Sequence, residues 1–255
     1  ETVGQDSYVG QLWSAVTFER RFVPLLRNAA LTSWKVKGWK WTTPPEVDDY
    51  AGDKAAIPSA AVVVAPVDEE AARLAGGHDL DRKFRDFGDT EFLSAYFEAM
   101  TESYARKSDE KARAFIYASA TAGTATAAGG TVLDAAVNAA SKLEQITDGG
   151  SPDYFIVNRA DLLGLAGVTM DDRKAYLDLF GVDFSKFVLT SVSGTAGKVI
   201  AGMRNAGTFY ELPGSPIRVE ALDIAKGGID EALFGYYATL LHDAKGIVSS
   251  VITPA

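Results

Sequence analysis

The chain has 255 residues, 47% hydrophobic and 23% charged, with a formal net charge of −9 from 34 acids against 25 Lys plus Arg. That length and apolar content support a sizeable packed core and exclude a disordered chain. The acidic balance argues against a surface that grips nucleic-acid backbone, the lack of cysteine excludes disulfides and thiolate chemistry, and only His78 and His242 are available for imidazole chemistry.

Residues 1–31 mix Trp13, Phe18, Phe22, Leu25 and Leu26 with Arg20, Arg21 and Arg27 and show no clean period. This predicts an extended arm with at most one short helical turn. The opening ETVGQDSYVG lacks the basic start and apolar stretch of a signal peptide. Residues 32–43 read as a strand, with Trp34 and Val36 on one face and Trp39 and Trp41 on the other. Gly38 lies between the pairs, where a bulge would re-aim the rings. IPSAAVVVAPV, 57–67, reads as the return strand, and PPEVDDYAGDK between them as a polar, turn-rich tip. A two-stranded arm is marginal alone. Burying one Trp is worth roughly 5 kcal/mol at most, while ordering about 25 residues costs on the order of 25 kcal/mol. The rings therefore need partners on the parent domain or on another molecule.

DTEFLSAYFEAMTESYARK, 89–107, carries the clearest helical period. Phe92, Leu93, Tyr96, Phe97, Met100 and Tyr104 recur at three- and four-residue steps opposite Glu91, Glu98, Glu102 and Arg106. Asp89 suits the N-cap, and Ser108 is placed to cap a continuation through Phe115 and Ile116. The aromatic stripe is expected to be core. SATAGTATAAGG, 119–130, reads as a connector. A second helix is predicted over 131–146, with Leu133, Ala136, Val137, Ala140 and Leu143 on one face and Thr131 with Asp134 as a capping box. YFIV, 154–157, suits a buried strand; NRADLLGLAG and TMDDRKAYLDLF read as helical. From 187 onward FVLTS, KVIAGM, TFYELP, IRVEALDI, ALFGYYATLL and GIVSSVI read as strands, punctuated by glycines, Pro213 and Pro216. The order is α+β, not a βαβ repeat.

Chemical motifs are weak. SVSGTAGKVI, 191–200, has Val192 where a phosphate loop needs glycine and Val199 where it needs Ser or Thr. HDLD, 78–81, reads as a solvated turn before a helix rather than a metal site, and His242-Asp243 as a strand-end polar pair. No serine has a nucleophile context. No catalytic, cofactor or metal site is expected.

AARLAGGHDLDRKFRDFGDTEFLSAYFEAMTESYARKSDEKA, 71–112, resembles the major capsid proteins of tailed bacteriophages, those with the Hong Kong phage capsid fold, and in particular those of phages of actinobacteria. GWKWTTPPEVDDYAGDKAAIPS, 38–59, is similar to that family's extended loop, and PDYFIVNRADLLGLAG to a strand and helix of its axial domain. The resemblance implies an N-terminal arm at 1–31 and an extended loop at 32–67. It implies a peripheral domain at 68–125 and 217–244, with a spine helix at 89–116, and an axial domain at 126–216 and 245–255. It further implies a non-enzymatic shell protein of the virion, assembled in the host cytoplasm as hexamers and pentamers around packaged double-stranded DNA. A portal and decoration or scaffolding proteins are the implied partners.

In that family the arm and loop reach neighbouring subunits. The resemblance therefore implies contacts to neighbours from Trp13, Phe18, Phe22, Arg20, Arg21 and Arg27 in the arm, and from Trp39, Trp41, Pro44, Pro45 and Tyr50 in the loop. Aromatic residues and arginine are the usual interface anchors. Trp34 is expected on its own chain. Some members cross-link a loop lysine to a peripheral asparagine. Lys40 and Lys54 lie in the loop, but the last asparagine is Asn205, before the peripheral return, so a noncovalent shell is expected. The family also loses an N-terminal segment on maturation, which makes Glu1 a candidate new terminus. The alternatives are an encapsulin-type compartment shell and, from another class, a small-molecule-binding α+β protein.

Overall fold

The computed structural model describes residues 18–81, 83–86, 90–165, 174, 177–223 and 228–254. In chain order these form β1 (Arg27–Ala30), β2 (Lys35–Thr43), β3 (Val63–Glu70), β4 (Ala72–Asp81), α1 (Lys83–Asp86), α2 (Thr90–Ser119), β5 (Thr121–Ala122) and α3 (Val132–Thr147). There follow β6 (Tyr154–Asn158), β7 (Phe187–Thr190), β8 (Lys198–Gly202), β9 (Gly207–Glu211), β10 (Ile217–Asp223), β11 (Gly228–Leu241) and β12 (Ile247–Val251). The six late strands thus fall where the sequence pattern placed them. The mixed α+β class is as expected.

Two sheets carry the body and a third forms a projection. The first runs β1-β9-β11-β10, with β4 also paired to β11. The second runs β5-β12-β8-β6-β7. The projection is the antiparallel β2–β3 ribbon. β6 is buried along its whole length. Phe155 and Val157 face a core with α3, including Leu133, Ala136 and Leu143. Tyr154 and Ile156 face a second core with Ala112 and Ile116 of α2 and with Phe22, Val23, Leu25 and Leu26 of the arm. A strand covered on both faces needs no polar alternation, which is why YFIV reads as a continuous apolar run. α3 begins with the expected capping box: Thr131 accepts from the Asp134 amide, and Asp134 accepts from the Thr131 amide.

α2 is unbroken over 30 residues, about 45 Å at helical rise, and spans both sheets. Its C-terminal part lies on the second sheet. Its N-terminal part lies on β4 and β11, where Tyr104 packs against Gly235; a side chain at 235 would occupy the space of the Tyr104 ring. The expected core stripe is only partly core. Tyr104 is buried, but Phe92, Leu93, Tyr96, Phe97 and Met100 are half-covered. Ser108 does not start a new helix: its hydroxyl donates to the Ala105 carbonyl within the same one. Asp89 lies outside the described residues, as does most of TMDDRKAYLDLF, of which Lys174 and 177–179 are helical. The NRADLLGLAG segment forms a 3₁₀ turn at Asp161–Leu165.

Three further expectations are corrected. Residues 78–81 are not a turn but the end of β4, which pairs with β11 from Ala72↔Tyr237 to Asp81↔Gly228. Gly76 in that strand lets α2 come close, since a Cβ there would meet Met100 at 2.9 Å. The return strand of the ribbon is Val63–Glu70, so 57–62 are not strand, and the irregularity falls between Trp41 and Thr43 rather than at Gly38. β9 pairs with β1 and β11, so the chain joins the first sheet from Gly207. The arm, from Arg21 on, makes the one short turn allowed for it, a 3₁₀ turn at Val23–Leu25, and then runs extended as strand β1 on the body.

Candidate inter-subunit surface

The ribbon is built by alternation. Directly paired residues share a face, so Trp39 and Trp41 stand beside Pro66 and Val64, while Val36, Gly38 and Lys40 share the other face with Glu69, Val67 and Ala65. The two indoles meet edge to face, 4.9 Å apart at 84°. Little of the body covers them: Trp39 is 63% exposed and Trp41 46%. Val62, Val63 and Val64 are exposed nearby, and at the tip Val47 is 99% and Ile57 80% exposed. Taking about 250 Å² for a whole tryptophan, the two indoles leave about 270 Å² in water. Covering that area is worth roughly 7 kcal/mol at 25 cal/mol/Å². A patch this concentrated marks a contact surface rather than scattered surface apolarity.

The base of the ribbon is anchored on its own chain. Trp34 donates from Nε1 to Glu70 at 3.1 Å, packs edge-on to Tyr236 with centroids 6.3 Å apart, and lies under Arg73, 4.7 Å from the ring centre. Lys35 reaches Glu70 across the strands at 3.4 Å. Trp34 therefore has partners on its own chain but is not buried there, being 44% exposed against the burial expected of it. Beyond the strands, the tip exposes Pro44, Pro45 and Tyr50 together with Glu46, Asp48, Asp49 and Asp53.

The arm behaves differently. Phe22 is 7% exposed and sits in the second core, so it is a fold residue rather than a free anchor. Arg20 is also taken: it forms a two-pronged ion pair with Glu211 at 2.7 and 2.8 Å, and Tyr104 donates to the same carboxylate at 2.8 Å. Partial burial alone would push the Glu211 carboxyl up, but the Arg20 guanidinium and the Tyr104 hydroxyl outweigh it and hold the group below its ordinary value. The Glu211 hydrogen bond in turn raises Arg20, and burial foremost raises Tyr104. Phe22 and Arg20, expected to reach a neighbour, thus have partners on β9, β6 and α2 of their own chain. Arg21 and Arg27 are exposed, and Phe18 is half-buried with Arg106 5.6 Å from its ring centre. Trp13 lies outside the described residues.

Sequence reasoning missed the residue that holds the arm. Asp109 of α2 is 3% exposed, and its Oδ1 accepts from the backbone amides of Arg21 (3.0 Å), Phe22 (2.7 Å) and Val23 (3.0 Å). These amides open the 3₁₀ turn and have no partner within it. A faint signal was present: Ser108 and Asp109 follow Tyr104 and precede Ala112 and Ile116, on the side of α2 that is buried. Among the described residues, no group of three or more His, Asp or Glu is placed to hold a metal ion.

A ribbon with exposed aromatics, a long helix bridging two sheets, and an arm strapped to that helix have counterparts among known proteins. The chain belongs to the phage capsid protein family, whose model matches residues 66–249, more than half of its length. Its fold is that of solved phage-related structures. A chain of Mycobacterium phage Che8 matches with TM-score 0.68 and 15% identity, covering 96% of this chain and 98% of that one. A chain of Microbacterium phage Oxtober96 matches with TM-score 0.69 and 14% identity, covering 100% and 96%. The capsid of a native GTA particle matches with TM-score 0.73 and 12% identity, covering 98% and 95%. No curated protein matches the chain. The protein is therefore a structural protein of the viral capsid.

Proposed function

We propose that this chain is the subunit of hexamers and pentamers that close into an icosahedral shell around packaged double-stranded DNA. The observation that carries this reading is the β2–β3 ribbon, whose Trp39–Trp41 pair leaves about half of its surface exposed on the isolated chain. In the shell those indoles cover a neighbouring subunit. Arg21, Arg27, Phe18, Pro44, Pro45 and Tyr50 remain available for the same purpose. The second sheet with α3 serves as the axial body that lines the ring centres. The first sheet with the N-terminal part of α2 serves as the peripheral body. A portal at one vertex and decoration or scaffolding proteins complete the particle. The net charge of −9 limits adhesion of the shell to the DNA it encloses.

The test is electron microscopy of the purified full chain and of a Trp39→Ala/Trp41→Ala variant. Closed particles are expected from the native chain and not from the variant, whose thermal melt in the unassembled state changes little. A native chain that stays monomeric, or a variant that assembles at the native concentration, overturns the reading. Particles from infected cells should protect DNA from nuclease; protein cargo in its place would point to an encapsulin-type compartment.

A further inference from the structure

A cleft of about 320 Å³ opens between the arm, α2 and the turn after β7. Its lining includes Phe18, Arg21, Arg106, Arg113, Leu189 and Val192. Two carboxylates also border it, but both are engaged. Asp109 faces the arm amides, and Glu110 pairs with Lys107 at 3.1 Å. Arg106 pairs with Glu102 at 2.6 Å. Arg21 and Arg113 have no carboxylate within ion-pair distance among the described residues. Arg113 stands 5.8 Å from the Tyr117 ring centre, and Arg21 projects into solvent. The cleft thus sets the apolar Phe18, Leu189 and Val192 beside the polar Thr190 and Ser191, edged by two guanidinium groups without an ion-pair partner among the described residues.

The tip of the ribbon has the complementary character. Residues 44–62 carry Glu46, Asp48, Asp49 and Asp53 against a single Lys54. None of these five has an ion-pair partner among the described residues. Val47 and Tyr50, both exposed, are interleaved with the acids. The tip is not seated on its own body, since Val47 is 99% exposed.

We propose that the Arg21–Arg113 cleft of one copy receives the acidic tip of the ribbon of another, with Asp48 and Asp49 facing the two arginines and Val47 and Tyr50 covering Phe18, Leu189 and Val192. This rests on the reading that the ribbon lies on a neighbouring subunit, and adds where on that subunit it ends. Opposite charge at such a rim sets register and partner choice more than raw affinity. The arm then has a second role: by strapping residues 21–23 to Asp109, α2 holds one wall of the socket in place.

The test is charge exchange in the full-length chain, read as the concentration at which closed particles appear by light scattering and electron microscopy. R21E/R113E should raise that threshold roughly tenfold, and D48K/D49K should do the same, as expected for reversing two exposed ion pairs. Placing all four changes in one chain should return the threshold to within about threefold of native, because both partners are then reversed. Thermal melts of the unassembled variants control for folding. If R21E/R113E fails to fold, R21Q/R113Q and D48N/D49N replace the pairs, and their effects must be less than additive. The proposal fails if the four-fold variant is no better than the worse pair, or if neither pair shifts the threshold. It also fails if R21E/R113E assembles normally but loses nuclease-protected DNA, which would assign the cleft to phosphate. Native particles disrupted by the Trp39→Ala/Trp41→Ala change, together with uncompensated charge exchange, would sink this proposal and leave the shell reading intact. Failure of the native chain to form particles would sink both.

Discussion

Asp109→Ala should release the arm from the body. One carboxylate oxygen accepts from three consecutive amides, two of them fully buried. Alanine removes the acceptor that those two buried amides share. Each buried donor left unmade costs about 1–3 kcal/mol, so the substitution should cost about 3–5 kcal/mol, a large share of a typical domain's 5–15 kcal/mol. Asp109→Asn keeps an oxygen in the same place and loses only the charge assistance, so it should cost about half as much. Urea unfolding below the assembly concentration gives both values. Native-state hydrogen exchange gives the location: the Phe22 and Val23 amides should lose protection before those of Phe155 and Ile156 in β6. The reasoning is refuted if Asp109→Ala costs less than about 1 kcal/mol, or if the asparagine variant is as damaged as the alanine one.

Glu211→Gln should remove a pH-dependent part of the stability. The folded carboxyl lies below its ordinary value of 4.5, so its contribution is fully present above 4.5 and disappears as pH falls through the lowered folded value. Native and variant unfolding curves should therefore differ at neutral pH and converge in acid; a constant gap would contradict the linkage. Gly235→Ala places a methyl where the Tyr104 ring lies and must break the Tyr104–Glu211 hydrogen bond. A loss of about 1–3 kcal/mol in calorimetry is expected, and an unchanged melting temperature would show that the ring moves freely. Denatured particles should run as a single monomer band in electrophoresis, since no asparagine follows Asn205 to meet Lys40 or Lys54; ladders of linked subunits would overturn this.

Elements governed by neighbours in the chain were legible from the residues alone. The 3.6-residue period of α2, the Thr131–Asp134 box of α3 and the unbroken apolar run of β6 each depend on local spacing, and each appears where that spacing puts it. The two-tryptophan strand announced that its rings need a partner. Contacts between distant segments were not legible. Asp109 meets Arg21 across 88 residues and Arg20 meets Glu211 across 191, and neither carboxylate differs locally from a surface acid. Gly76, Gly77 and the HDLD acids carry turn chemistry, yet a ladder to β11 holds them as strand. Local propensity is worth tenths of a kcal/mol per residue, whereas a shared ladder and a buried carboxylate are worth several together. Folding therefore decided which acids hold the arm, and among the described residues it left Trp39 63% and Trp41 46% exposed.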